Sequence, residues 1–137
     1  MQVQPYLFFD GRCEEALDFY REKLGAEVIM MMRFKEMPAS EGHAIAPGSE
    51  EKILHATFRI GDSLIMASDG MNGGQPKYEG FSLTLSVADD AEAERIFALI
   101  SEDGQVQMPI GPTFWTSRFG MAADKFGVGW MVNVEQK

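Results

Sequence analysis

The chain has 137 residues, 45% of them hydrophobic, which is enough apolar material for a core at the size of one domain. Its 21 acidic residues outnumber 12 basic ones, and the resulting net charge of −9 argues against nucleic acid as a partner, because phosphate neutralisation needs a positive surface. No apolar run reaches the roughly 20 residues of a membrane-spanning helix, so no membrane partner is expected; the opening Met1-Gln2-Val3-Gln4-Pro5 has no basic-then-apolar leader pattern, and the single cysteine, Cys13, has no internal partner, so a reduced, cytoplasmic setting is expected.

In chain order, Val3 to Phe9 reads as a short strand. A helix follows over Glu14 to Leu24, with acids in its first turn, bases in its last and Gly25 just past its end. Ala16, Leu17, Tyr20 and Leu24 share its apolar face. Three strand-like stretches come next, Ala26 to Phe34, Ile53 to Ile60 and Ser63 to Ser68, with Gly61-Asp62 turning the last pair. Between them, a loop over about Met37 to Glu51 carries Pro, Gly and acids and reads as a mobile or lid-like segment. Gly70-Met71-Asn72-Gly73-Gly74-Gln75-Pro76 reads as a flexible linker.

The same order then repeats. Phe81 to Val87 reads as a strand, and a helix runs from about Asp90 to Glu102. Asp89 caps it with Glu92 three residues on, and Gly104 closes it. Ala93, Ile96, Phe97 and Ile100 follow helical spacing. Strands are predicted at Gln105 to Met108, Phe114 to Met121 and Val128 to Val134, with Gly127 as the turn. The pattern describes a single α+β domain of paired βαβββ modules: residues 1–69, a linker over 70–77, and residues 78–137.

Alternation assigns the faces. Phe81, Leu83, Leu85 and Val87 are expected to face their helix, with Ser82, Thr84 and Ser86 opposite. Likewise Leu54, Ala56, Phe58 and Ile60 take the helix side, and His55, Thr57 and Arg59 the open side. One helix per sheet leaves the other face uncovered, and two such sheets packed side by side form a cup.

The densest chemistry lies in Thr113-Phe114-Trp115-Thr116-Ser117-Arg118-Phe119-Gly120-Met121 and Asp124-Lys125-Phe126-Gly127-Val128-Gly129-Trp130. Phe114, Trp115, Phe119 and Trp130, with Tyr6 and Phe8, are candidate walls for a flat apolar ligand; core packing is the alternative for each ring. Met30-Met31-Met32, Met66, Met108, Met121 and Met131 are candidate adaptable lining or plain gap-fillers. Arg118 is a candidate anion holder; its alternatives are a salt bridge to Asp124 or a stack on a ring. His55, with Thr57 and Arg59 beside it, is the candidate for acid–base work, against a purely structural histidine. Asp69 and Asp124 precede turns and read as backbone caps. Ser82, Thr84 and Ser86 have no base at triad spacing. Cys13 lies where a helix begins and a thiol can acidify, or it is a half-buried small hydrophobe.

The element order, together with Pro5-Tyr6-Leu7-Phe8-Phe9, Ala16-Leu17-Asp18-Phe19-Tyr20, Leu24-Gly25-Ala26, Lys52-Ile53-Leu54-His55-Ala56 and the Thr113–Trp130 phrase, resembles the PhnB-like branch of the vicinal oxygen chelate superfamily. The resemblance implies the glyoxalase/bleomycin resistance fold, a homodimer and, in many members, modules exchanged between subunits. It also implies a divalent metal held by one donor from each of four strands. Those four places fall on Pro5, the Leu64–Ser68 run, Ser82 and Met131, which are poor donors for a hard cation. A displaced set of His55, His43 and Asp69 is the other metal option. The branch also carries the description 3-demethylubiquinone-9 3-methyltransferase; a nucleotide-type glycine turn between strand and helix is not found among Gly70, Gly73 and Gly74. The expectation is a small apolar or aromatic ligand bound with no metal and no cofactor. The alternative is a metal-dependent or His55-based isomerase or lyase.

Overall fold

Apolar residues at every second position need a sheet with one covered face, and the chain builds two such sheets. A computed structural model describes residues 1–37, 47–70 and 76–135. The chain divides into two units, Met1–Pro76 and Lys77–Lys137. The first holds β1 (Tyr6–Phe8), α1 (Cys13–Leu24), β2 (Glu27–Arg33), β3 (Ile53–Ile60) and β4 (Ser63–Ser68). The second holds β5 (Leu83–Val87), α2 (Asp90–Ile100), β6 (Gln105–Gly111), β7 (Phe119–Ala123) and β8 (Gly129–Val134). Sheet orders are β1-β4-β3-β2 and β5-β8-β7-β6. In each, the first pair is parallel and the rest are antiparallel. This is the α+β fold of paired βαβββ modules. No helix among the described residues is long and apolar enough to cross a membrane.

Each helix packs on one face of its own sheet. From α1, Cys13, Ala16, Leu17, Phe19 and Tyr20 are buried, and Tyr20 stacks on Phe58 of β3 with centroids 5.7 Å apart. From α2, Ala93 and Phe97 join Val87, Ala122, Val132 and Val134 in one cluster. Gly120 is small for a reason: a Cβ there would lie 2.6 Å from the Phe97 ring.

The two helices start differently. Asp89 caps α2 locally, its Oδ1 accepting the Glu92 amide at 2.8 Å. Arg12, at the same position before α1, makes no side-chain cap. The carboxylate comes from far along the chain instead. Asp69, after β4, accepts the amides of Gly11 (2.6 Å) and Cys13 (2.8 Å) on Oδ1 and that of Ile53 (2.8 Å) on Oδ2. Gly25 ends α1 at φ +68°, where it donates to Arg21 O.

Several boundaries move from their sequence expectation. Beyond α2 the left-handed residue is Asp103 (φ +58°), not Gly104. Gly104 is needed for space, since a Cβ would lie 2.1 Å from Ala123 O. β5 starts at Leu83, so Phe81 is outside the strand and exposed. The register shift between Met32 and Arg33 seats Ile53, rather than Leu54, deep in the core. β7 starts only at Phe119. The Thr113 hydroxyl accepts the amides of Trp115 and Thr116, and Thr113 N–H donates to Thr116 O. That turn removes Phe114 and Trp115 from the ladder. His43, most of the Met37–Glu51 loop and residues 71–75 of the linker lie outside the described residues.

Candidate functional site

Register identifies the uncovered face of the second unit. Ala122 and Val132 pack against α2. Their strand neighbours Met121, Met131 and Asn133 therefore face away, and Phe119 pairs with Asn133 on that side. Trp115 packs edge-on against Phe119 at 5.2 Å and against Phe114 at 4.9 Å. Its indole Nε1 donates to Asn133 Oδ1 at 3.2 Å. Phe114 itself is 97% exposed. The turn at Thr113 thus does what a strand would not: it takes two rings out of the ladder and seats Trp115 on the open face, with Phe114 projecting beside it.

Further along this face lies an open depression of about 510 Å³. Met121 and Met131 line it from the sheet, Tyr78, Phe81 and Ser82 from the approach to β5, and Gln107 from β6. Of these, Ser82, Met121 and Met131 are candidates from the sequence, whereas Tyr78, Phe81 and Gln107 are not.

The uncovered face of the first unit gathers a different set. Tyr6 pairs with Met66, which pairs with Thr57, which pairs with Met30. Tyr6 stacks on Phe8 at 4.9 Å. The Tyr6 hydroxyl is 2.9 Å from His55 Nδ1, and Thr57 Oγ1 is 3.4 Å from His55 Nε2. With Tyr6 donating to Nδ1, the ring proton sits on Nε2 and faces Thr57. Burial raises the Tyr6 phenol above its ordinary value, against a smaller opposing effect from Ser68, so it stays protonated at neutral pH.

Other expected site residues are placed elsewhere. Trp130 is not a pocket wall. It is 2% exposed, and its Nε1 donates to Asp124 Oδ2 at 2.8 Å. Asp124 also accepts the amides of Phe126 and Val128. Hence it is a buried cap and no partner for Arg118. Arg118 reaches α2 instead: Nε donates to Glu94 at 3.0 Å, and Nη1 lies 3.5 Å from Asp90. Those carboxylates hold its guanidinium above the ordinary range, by hydrogen bond to Glu94 first. Two acids already occupy the cation expected to hold an anion. Arg59 is similarly bonded to Glu27 across β2–β3. Cys13 is fully buried, and burial first, then Asp69 and Glu14, push its thiol far up, so it is a core residue and not a nucleophile.

The family described as 3-demethylubiquinone-9 3-methyltransferase matches residues 1–133. The chain belongs to this PhnB-like family. Its fold is that of the glyoxalase/bleomycin resistance proteins. Protein YjdN of Escherichia coli K12 is 39% identical, covering 98% of this chain and 95% of YjdN. The structure of protein PA1353 from Pseudomonas aeruginosa is 42% identical, with a TM-score of 0.83 over 100% of this chain and 99% of that one. The PhnB protein from Bacillus cereus is 26% identical, with a TM-score of 0.82 over 98% of this chain and all of the other.

Two groups that this PhnB-like family suggests can be tested on the residues present. For a chelated metal, no three His, Cys, Asp or Glu side chains converge among the described residues. Asp69, from the displaced set, has both oxygens bonded to backbone amides. The donors do not fit a hard cation. For S-adenosylmethionine, the strand-to-helix turn that contains a glycine is β1–Gly11–α1, with Gly11 at φ +96°. Its amides already hold the Asp69 carboxylate. That turn does not fit a cofactor carboxylate or ribose either.

Proposed function

We propose that the protein binds a small apolar or aromatic molecule on a sheet face left uncovered by its helix, without a chelated metal. The observation that carries this reading is the Phe114–Trp115–Phe119 cluster. Trp115 makes edge contact with both Phe114 and Phe119, and this chain of rings, with Phe114 97% exposed, stands on the open side of β7 and β8. Exposed aromatics of this kind offer large contact area at low entropic cost. The methionines beside them adapt to ligand shape. A homodimer in the cytoplasm is part of the same reading, and light scattering on the purified chain tests the dimer.

Tryptophan fluorescence during a screen of aromatic and aliphatic compounds tests the binding. Trp115 is at the cluster and Trp130 is buried, so a saturable signal change is expected that disappears in Trp115→Phe. A screen in which no compound protects the protein in thermal shift or alters its emission would end the proposal.

A second reading rests on the Tyr6–His55 pair. A phenol held 2.9 Å from an imidazole can move a proton, as an isomerase or lyase requires. A metal-dependent rise in melting temperature with Ni, Mn, Fe or Zn that vanishes in His55→Ala would favour it over simple binding.

A further inference from the structure

Several polar side chains on the two uncovered faces are already bonded to one another. Tyr6, His55 and Thr57 bond among themselves. Trp115 bonds Asn133, and Arg59 bonds Glu27. The depression in the second unit is different. Among the described residues, the side chains of Ser82, Gln107 and Glu79 around it make no hydrogen bond or ion pair. Three uncommitted polar groups therefore meet in one cavity of about 510 Å³. Glu79 and Gln107 are exposed and Ser82 is half-buried, so water meets all three in the free protein and a ligand can replace it.

The walls fix the shape of that ligand. Met121 and Met131 form the floor and present polarizable sulfur, which favours the face or edge of an aromatic ring. Tyr78 and Phe81 stand at the side. Two glycines keep the space open. A Cβ at Gly129 would meet Ser82 Oγ at 3.1 Å, and one at Gly127 would meet the Tyr78 ring at 3.7 Å.

The charge is fixed too. Glu79 is the one ionisable acid or base besides the Tyr78 phenol in the lining, and no Lys, Arg or His contributes. The chain as a whole carries −9. An anion would meet repulsion at short and long range. A planar cation would gain the carboxylate and the faces of Tyr78 and Phe81 together. We infer that this cavity is a site for a planar cationic compound, a protonated nitrogen heterocycle or aromatic amine, with Glu79 pairing the charge and Ser82 and Gln107 bonding its polar edge. The inference rests on the ligand-binding reading above and names the chemical class.

Fluorescence titration with two planar probes tests it: proflavine, a cation, and 9-anthracenecarboxylate, an anion. Proflavine is expected to bind saturably at one site per chain. Glu79→Gln should weaken it about three- to fivefold, the scale of one partly exposed charge contact. Ser82→Ala should weaken it less, and Met131→Trp should block the cavity. Glu22→Gln, a remote exposed acid on α1, should change affinity less than twofold, which separates the site from general attraction to an acidic protein. Equal effects of Glu79→Gln and Glu22→Gln overturn the site. Tighter binding of the anion, still blocked by Met131→Trp, overturns the cation assignment and leaves the binding reading intact. Binding of neither probe, with the wild-type fold verified by circular dichroism, overturns this site and leaves the ligand-binding reading to the compound screen. Ser82→Trp serves as the second blocking variant where Met131→Trp does not fold.

Discussion

The indole nitrogen of Trp130 donates to Asp124 Oδ2 at 2.8 Å, and the other Asp124 oxygen accepts the amides of Phe126 and Val128. One buried carboxylate thus closes the β7–β8 turn and fixes the largest fully buried side chain of the second unit. Asp124→Ala orphans three donors at once and should cost roughly 3 kcal/mol of unfolding free energy. Asp124→Asn keeps an acceptor and should cost less. Urea denaturation followed by Trp emission measures both; equal stability of wild type and Asp124→Ala would refute this role.

Gly104 and Gly111 make an internal contrast. A Cβ at Gly104 would strike the backbone, at 2.1 Å from Ala123 O and 2.9 Å from the Asp124 carbonyl carbon. Backbone cannot rotate away as a side chain can, so Gly104→Ala should destabilise by about 3 kcal/mol or more. Gly111 has nothing within 4 Å of its notional Cβ and no positive φ. Gly111→Ala should be neutral or stabilise by up to roughly 1 kcal/mol through the unfolded chain. Thermal melts of the two variants should move in opposite directions or differ by many degrees.

Cys13 gives the protein an alkaline limit. Its thiol is raised above its ordinary value of 9.0 by burial first, then by Asp69 and Glu14. Folding holds the neutral form, so this contribution is complete below pH 9.0 and is lost as pH rises and the unfolded thiol ionises. The slope is about 1.4 kcal/mol per pH unit for one proton. Tyr6 adds a second loss of the same sign above its ordinary 10.0. Between these values the Cys13→Ala variant should show a flatter stability profile than wild type. The native thiol should also resist a thiol-reactive dye at pH 8 and react fully in denaturant.

Removing the exposed cluster should separate function from fold. Phe114→Ser deletes a ring that is 97% exposed, so its effect on stability should lie within about 0.5 kcal/mol. Binding of aromatic compounds should fall several-fold in the same variant. Loss of stability without loss of binding would make the cluster a packing device.

The parts legible in the sequence are those with local causes. Asp89 and Glu92 announce the start of α2 within four residues, and Gly25 announces the end of α1. Gly61-Asp62 sets both β3 and β4 to the residue, because a tight turn fixes where pairing begins. What the sequence hid had nonlocal causes. The alternation after Phe114 reads as a strand, yet the Thr113 hydroxyl captures the amides that a ladder would use. Trp130 carries the same aromatic signal as Trp115, and it is the pairing with Ala122 and the bond to Asp124 that put it inside. Gln107, Glu79 and Tyr78 gave no motif. Met121 did leave a trace, since it lies two residues beyond Phe119 and so on the same side of β7.

The Asp69 carboxylate sets an order of assembly for the first unit. Helix α1 waits for a residue 56 positions downstream of Cys13 to satisfy its leading amides. On a ribosome that helix should lack its capping carboxylate until Asp69 has left the exit tunnel. Helix α2 carries its stopper three residues from the amide it serves and needs no such delay. Two copies of one architecture thus mature on different clocks, the earlier-synthesised half being the one that must linger unfinished.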